Sequence, residues 1–257
     1  MSRLSTFAAI VSKLQDLRIS LLFTGVAILL IFVSIRAYKE FMTSPPYIDP
    51  EEFPVRGIDV SAHNGMMNLD AAAADGIDFI FIKASEGDTF KDKNFRINYD
   101  KASHAGLKIG AYHYFRFDVG GVAQAKNLIK AIGNRHLDLG VAIDVEESNN
   151  AAGVDSLQIS HRLEAMVQYL NISGYRVTFY CTRAGYYQYI RDTAPGACLW
   201  ICSLNSKPID AEWTFRQYYH RGRVKGIRGD VDLDVFCGSR REWDNYLQGA
   251  QWPYDTP

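Results

Sequence analysis

The segment VAIDVEE, residues 141–147, sets two carboxylates, Asp144 and Glu146, two positions apart behind three apolar residues. On a β-strand, side chains at i and i+2 share one face at about 6–7 Å. Two acids held that closely on an apolar base resist joint ionisation, so one pKa must rise. A Glu kept protonated beside a second acid is what glycoside cleavage needs near neutral pH. Glu147 would face the other way and is read as a solvated surface charge. A D-x-E alone can equally cap a helix or sit on a solvated strand end, so the rest of the chain must supply support.

The elements that would position these acids follow from the apolar runs. They are Gly57–Val60, Phe79–Ala84, Lys108–Phe115, Val141–Val145, Val177–Cys181, Cys198–Cys202, Thr214–Tyr218 and Val231–Phe236. Amphipathic stretches at Asn94–Ala105, Val122–Ile132 and Ser156–Leu170 lie between the earlier ones. Strands interleaved with helices predict an α/β fold with parallel pairing. Eight such strands predict a modified TIM-like (β/α) barrel with reduced helices in its C-terminal part, where the connections are short. A doubly wound open sheet is the competing architecture.

A barrel places functional groups at the C-terminal ends of its strands. The polar residues there are Asp59 and Ser61, Glu86, His113 and Tyr114, Asp144 and Glu146, Tyr180, Gln217, and Asp232 with Asp234. Acids thus recur at strand ends from four parts of the chain, a pattern that packing does not explain. For Asp59 an N-cap role competes, and Glu86, in a loop before Gly87, competes as a plain exposed charge. His63 and His113 lack ligand spacing and are read as structural, so neither a metal nor a cofactor is expected. The chain has no G-x-S-x-G, no G-x-G-x-x-G after a strand and no Walker sequence, which leaves hydroxyl-nucleophile and nucleotide chemistry without a motif.

A net charge of -1 leaves no basic footprint for a nucleic acid. From Ile19 to Ile35 no residue is charged, a run near the short limit for a membrane helix. No small-residue cleavage pattern follows, so a retained single-pass anchor is expected rather than a signal peptide. Arg3, Lys13 and Arg18 precede it, which favours a cytoplasmic tail over residues 1–18 and an exported remainder. The reading is then a transmembrane helix at 19–35, a Pro-rich stalk at 36–54, a glycosidase barrel at 55–240 and a C-terminal tail at 241–257. Four cysteines, Cys181, Cys198, Cys202 and Cys237, leave both pairing and buried thiols open.

Several strings also resemble a known family. GIDVSAHNG (57–65), FIKASEGDTFKDKNF (81–95), AGLKIGAYHYF (105–115), VAIDVEE (141–147), LWI (199–201) and GIRGDVDLDVFCG (226–238) occur in the order found in glycoside hydrolase family 25 lysozymes. The resemblance implies a β/α barrel that hydrolyses the β-1,4 bond between N-acetylmuramic acid and N-acetylglucosamine without a metal. It implies catalytic roles for Glu146, Asp144, Asp59 and Asp232, with Glu146 as general acid/base. Glu86, Tyr114, Tyr180, Gln217 and Tyr218 are the expected substrate contacts. The implied partners are peptidoglycan glycan strands and, through residues 19–35, the bacterial inner membrane, with the catalytic domain on its periplasmic side. The chain departs from the family where W-Q-Y reads Arg216-Gln217-Tyr218, followed by Tyr219 and His220, and where V-D-L-N reads VDLD, ending at Asp234. A chitinase-like N-acetylhexosaminidase and a non-catalytic, membrane-anchored cell-wall-binding module are the rival readings.

Overall fold

The computed structural model describes residues 21–36, 38, 45–204 and 209–249. The chain divides into two compact units, Met1–Ser44 and Pro45–Pro257. In the first, residues 21–36 are helical. At 1.5 Å per residue that helix extends about 24 Å, against about 30 Å for a bilayer's hydrocarbon core. No helix among the described residues is long and apolar enough to cross a membrane. The expected span at 19–35 begins outside the described residues, and the tail at 1–18 lies wholly outside them.

In the second unit strand and helix alternate. The order is β1 (Arg56–Val60), α1 (Leu69–Ala74), β2 (Phe79–Glu86), a two-residue β3 (Phe90–Lys91), α2 (Phe95–His104) and β4 (Lys108–Tyr114). It continues with α3 (Gly121–Ile132), β5 (Val141–Val145), α4 (Ser156–Ile172) and β6 (Val177–Thr182). A short helical stretch, Arg183–Gly185 running into a π turn at Tyr186–Ile190, leads to β7 (Cys198–Cys202). β8 (Phe215–Gly222) and β9 (Val231–Phe236) follow with no helix between them among the described residues, and α5 (Arg240–Leu247) comes last.

Strands β1, β2, β4, β5, β6, β7 and β8 pair in parallel, each with the next. β9 closes the ring by pairing antiparallel with both β8 and β1. β1 therefore has a neighbour on each side, which makes the sheet a barrel and rules out the open-sheet alternative. The reversal of β9 has a simple cause. Only residues 223–230 join it to β8, and a parallel crossover needs a dozen residues or more. Running backwards, β9 brings its first residues to the face where the other strands end.

Two apolar layers hold this ring. Ile58, Val60, Ile80, Ile82, Ile143 and Val145 pack with the helices in an outer layer. Phe79, Phe81, Trp200, Phe215 and Phe236 form a separate aromatic cluster, with the Phe81 and Trp200 rings stacked at 4.4 Å. Room for these rings comes from glycines on the neighbouring strands. Gly57 is opposite Phe79 and Gly110 opposite Phe81, and a Cβ on either would lie within 2.3 Å of the facing ring.

The ends of the domain differ from the sequence reading. Residues 241–257 were expected to be a tail, yet Ser239 and Glu242 form a capping box for α5. Its Trp243 and Tyr246 are buried in the aromatic cluster, because their i, i+3 spacing puts both rings on one helix face. Residues 45–54, expected as part of a stalk, lie on the barrel: Ile48 and Phe53 pack against its core, and Phe53 stacks on Trp213 at 5.8 Å.

Gly57→Ala should overpack the barrel against Phe79 and destabilise the fold by about 1–3 kcal/mol, lowering Tm by about 3–10 °C. Thermal unfolding followed by circular dichroism measures this, and an unchanged Tm would show that the ring has room to move.

Candidate active site

A cleft of about 290 Å³ opens where the parallel strands end. Asp59 reaches it from β1, Asp144 from β5, Glu146 from just beyond β5, and Asp232 from the start of the reversed β9. Asp59 and Asp232 are direct cross-strand partners. Alternation along each strand accounts for the inward aim: Ile58 and Val60 flank Asp59 in the outer layer, as Ile143 and Val145 flank Asp144. Tyr112, Tyr180 and Trp200 also line the cleft, with the Tyr180 and Trp200 rings 4.7 Å apart.

Buried hydrogen bonds fix the acids. The Tyr180 hydroxyl donates to Gln217 Oε1 at 2.8 Å, and Gln217 Nε2 donates to Asp59 Oδ2 at 2.7 Å. Trp200 Nε1 donates to Asp234 Oδ1 at 2.8 Å. The other Asp234 oxygen, Oδ2, is buried without a hydrogen-bond partner, and burial raises the pKa of this carboxyl well above its ordinary value. Asp234, where an amide is common in the resembling family, does not line the cleft.

Desolvation dominates the electrostatics. Asp144 is 6% exposed and its Oδ1 has no hydrogen-bond partner. Burial, then repulsion from Glu146, pushes its pKa well above the ordinary value. Burial raises Glu146 too, while the nearby positive charges of His220 and Lys83 pull it back. Asp59 is raised by burial and then by Asp232 and Asp234. The sequence reading gave the retained proton to Glu146. In the structure burial raises both members of the pair.

Of the expected substrate contacts, Tyr180 and Gln217 line the cleft, while Glu86, Tyr114 and Tyr218 do not. Glu86 is engaged by Lys83 Nζ at 2.9 Å and Arg116 at 3.6 Å, and the Lys83 ammonium lies 5.1 Å over the Tyr114 ring. Tyr114 is buried and donates its hydroxyl to the Ser148 carbonyl. Tyr218 follows the inward Gln217 by one residue, so its ring lies in the outer layer. Glu147 is exposed as expected, and it accepts a hydrogen bond from the Tyr189 hydroxyl at 2.8 Å.

The sequence reading missed Tyr112, Thr182, Trp200, Cys202 and His220 as cleft residues. Period-two alternation from Tyr180 would have found Thr182. His220 sits past a register shift in β8, where alternation gives no guide. His113 is structural, bonded to Ser85 Oγ at 2.8 Å and to Gln124 Oε1 at 3.0 Å, and its burial lowers its pKa to about 4. His63 pairs with Ser61 Oγ at 3.2 Å. Among the described residues no group of three or more His, Cys, Asp or Glu side chains could hold a metal ion.

The profile of glycosyl hydrolases family 25 matches residues 58–227. The chain belongs to this family. The family match takes in Asp59, Asp144 and Glu146 and stops short of Asp232. Over 184 residues the chain is 36% identical to the autolytic lysozyme of Clostridium acetobutylicum, covering 71% of this chain and 56% of that protein. It is thus matched to little more than half the length of that relative. It is 31% identical to lysozyme M1 of Streptomyces globisporus over 201 residues, 72% of this chain and 68% of that one. Among solved structures, a family 25 glycosyl hydrolase from Bacillus anthracis superposes with a TM-score of 0.72 at 32% identity, covering 79% of this chain and 96% of its own.

The raised Asp144 makes a prediction for this family 25 site. A carboxyl whose pKa is higher folded than unfolded stabilises the protein fully below the unfolded value, and that stability is lost as pH climbs through the folded value. Asp144→Asn removes the titration, so its Tm should exceed the wild-type Tm at pH 8 and the gap should close toward pH 4. A gap independent of pH would mean that Asp144 titrates normally.

Proposed function

We propose that this protein is a muramidase that cleaves the β-1,4 bond between N-acetylmuramic acid and N-acetylglucosamine in peptidoglycan, with Glu146 as general acid/base. The observation that carries the reading is the desolvated pair Asp144 and Glu146, one acid deep and one at the mouth of the same cleft. Family membership, and relatives named as lysozymes, agree with it.

The two positions suit two roles. Glu146, half-buried, has access to a glycosidic oxygen, and burial raises its pKa, the direction a proton donor needs. Once that proton is given up, His220 and Lys83 stabilise the anion left on Glu146 and favour its later action as base toward water. Asp144 keeps one oxygen without a partner inside the cleft, so it is available to a developing positive charge or to a donor on the sugar. Asp59, held by Gln217, adds a second carboxyl of fixed orientation. Such prearranged groups act most strongly where water is excluded. Tyr180 and Trp200 give the cleft an apolar lining beside its acids.

We also propose that residues 19–35 hold the domain at the outer side of the bacterial inner membrane, with residues 1–18 cytoplasmic. The uncharged run from Ile19 to Ile35 and the basic residues ahead of it support this. The full chain should then sediment with membranes and come off with detergent, not with high salt. Release by salt alone would contradict the anchor.

Glu146→Gln should lower kcat/KM for clearing purified peptidoglycan by about 10²–10⁴-fold, with muramic acid as the new reducing end in wild-type digests. Equal clearing by the variant would remove Glu146 from the mechanism. Cleavage of chitin oligomers in place of peptidoglycan would favour the N-acetylhexosaminidase reading, and no cleavage of either would favour the binding module.

A further inference from the structure

Three side chains from the consecutive strands β7, β8 and β9 meet on one wall of the cleft: Cys202, His220 and Asp232. Asp232 Oδ1 lies 2.7 Å from His220 Nδ1, and His220 Nε2 lies 3.8 Å from Cys202 Sγ. The imidazole therefore has a carboxylate on one nitrogen and a sulfur on the other. This is the order of groups that activates a cysteine nucleophile: the carboxylate orients the ring and favours its charged form, and the charged ring favours the thiolate. Glycoside cleavage by Glu146 makes no use of the thiol.

We propose that Cys202 is a thiol-modification site inside the cleft, activated by His220 and Asp232, whose reaction partners are low-molecular-weight disulfides. The hydrogen bond that His220 Nδ1 donates to Asp232 favours the charged ring, with its pKa raised to about 10. The Cys202 thiolate attacks one sulfur of the disulfide, the S–S bond breaks, and a new S–S bond joins that sulfur to Cys202. The other half leaves with the bonding pair as a thiolate and takes its proton from solvent. Cys202 is oxidised and the departing thiol is reduced, so the exchange needs no further oxidant.

Selectivity follows from where the other cysteines lie. All four are thiols. Burial pushes Cys181 well up and Cys237 up to about 11, which holds both in the unreactive protonated form. Cys198 is buried at 8% exposure. Cys202 is part-exposed in a cleft already open to solvent. A substituent on its sulfur would occupy the space beside Glu146 and Asp232 and exclude a glycan chain. That last consequence rests on the muramidase reading, whereas the modification itself does not.

The experiment treats the full chain with glutathione disulfide at pH 7, and follows each cysteine by peptide mass spectrometry. At pH 7 Cys202 should react at least about ten-fold faster than Cys237, and His220→Gln should slow it by about ten-fold or more. Peptidoglycan clearing should fall in step with labelling and return with dithiothreitol, and Cys202→Ser, scored against its own untreated sample, should be insensitive. Cys202 reacting no faster than Cys237, or at a rate that His220→Gln leaves unchanged, would overturn the proposal, and the first result does not depend on a variant folding. Expected labelling on a chain that never clears peptidoglycan would support the thiol site and count against the muramidase.

Discussion

Keeping carboxylates away from water is the constraint on which the site depends. Asp59, Asp144 and Asp234 are each less than a tenth exposed, and a carboxylate moved into such surroundings meets a large desolvation penalty unless it is paired or takes up a proton. The protein uses both remedies. Gln217 and Trp200 donate to Asp59 and Asp234, and Asp144 rises in pKa with one oxygen unbonded. The chemistry assigned to Glu146 follows from its place at the edge of this group. Burial raises its pKa, while it stays part-exposed at the mouth of the cleft.

The barrel serves that constraint through its two apolar layers and its one reversed strand. The outer aliphatic layer fixes which face of each strand turns inward. The aromatic cluster, given room by Gly57 and Gly110, fills the interior and leaves Trp200 and Tyr180 lining the cleft. The short link before β9 forces an antiparallel return, and that return sets Asp232 directly across from Asp59. A full crossover helix there would have carried Asp232 to the opposite end of the barrel. The loss of late helices is in this way tied to the composition of the site.

Much of this was legible in the sequence because it rests on local patterns. The runs at Val141–Val145, Cys198–Cys202 and Val231–Phe236 are strands over those same residues. Asp59, Asp144, Glu146 and Asp232 do meet in one cleft. What escaped notice depends on contacts distant in the chain. Nothing near Glu86 reveals that Arg116 will engage it, and nothing near Tyr218 shows that β8 turns it outward. His220 became a cleft residue only through the register shift that follows Gln217. The helix α5 carried a readable signal, Ser239 with Glu242 three residues on, but the chain around it is too polar to announce buried rings.

The central claim is that Asp144 and Glu146 keep a proton between them near neutral pH because they share a desolvated cleft. The most direct measurement is a carboxyl ¹³C NMR titration of the full chain, with Asp144 and Glu146 assigned by Asp144→Asn and Glu146→Gln. At least one of the two signals should remain in its protonated position at pH 6, and Asp144 should titrate at lower pH once Glu146 is replaced by Gln. Two signals that both titrate near the ordinary carboxyl value of about 4, unaffected by either substitution, would contradict the claim.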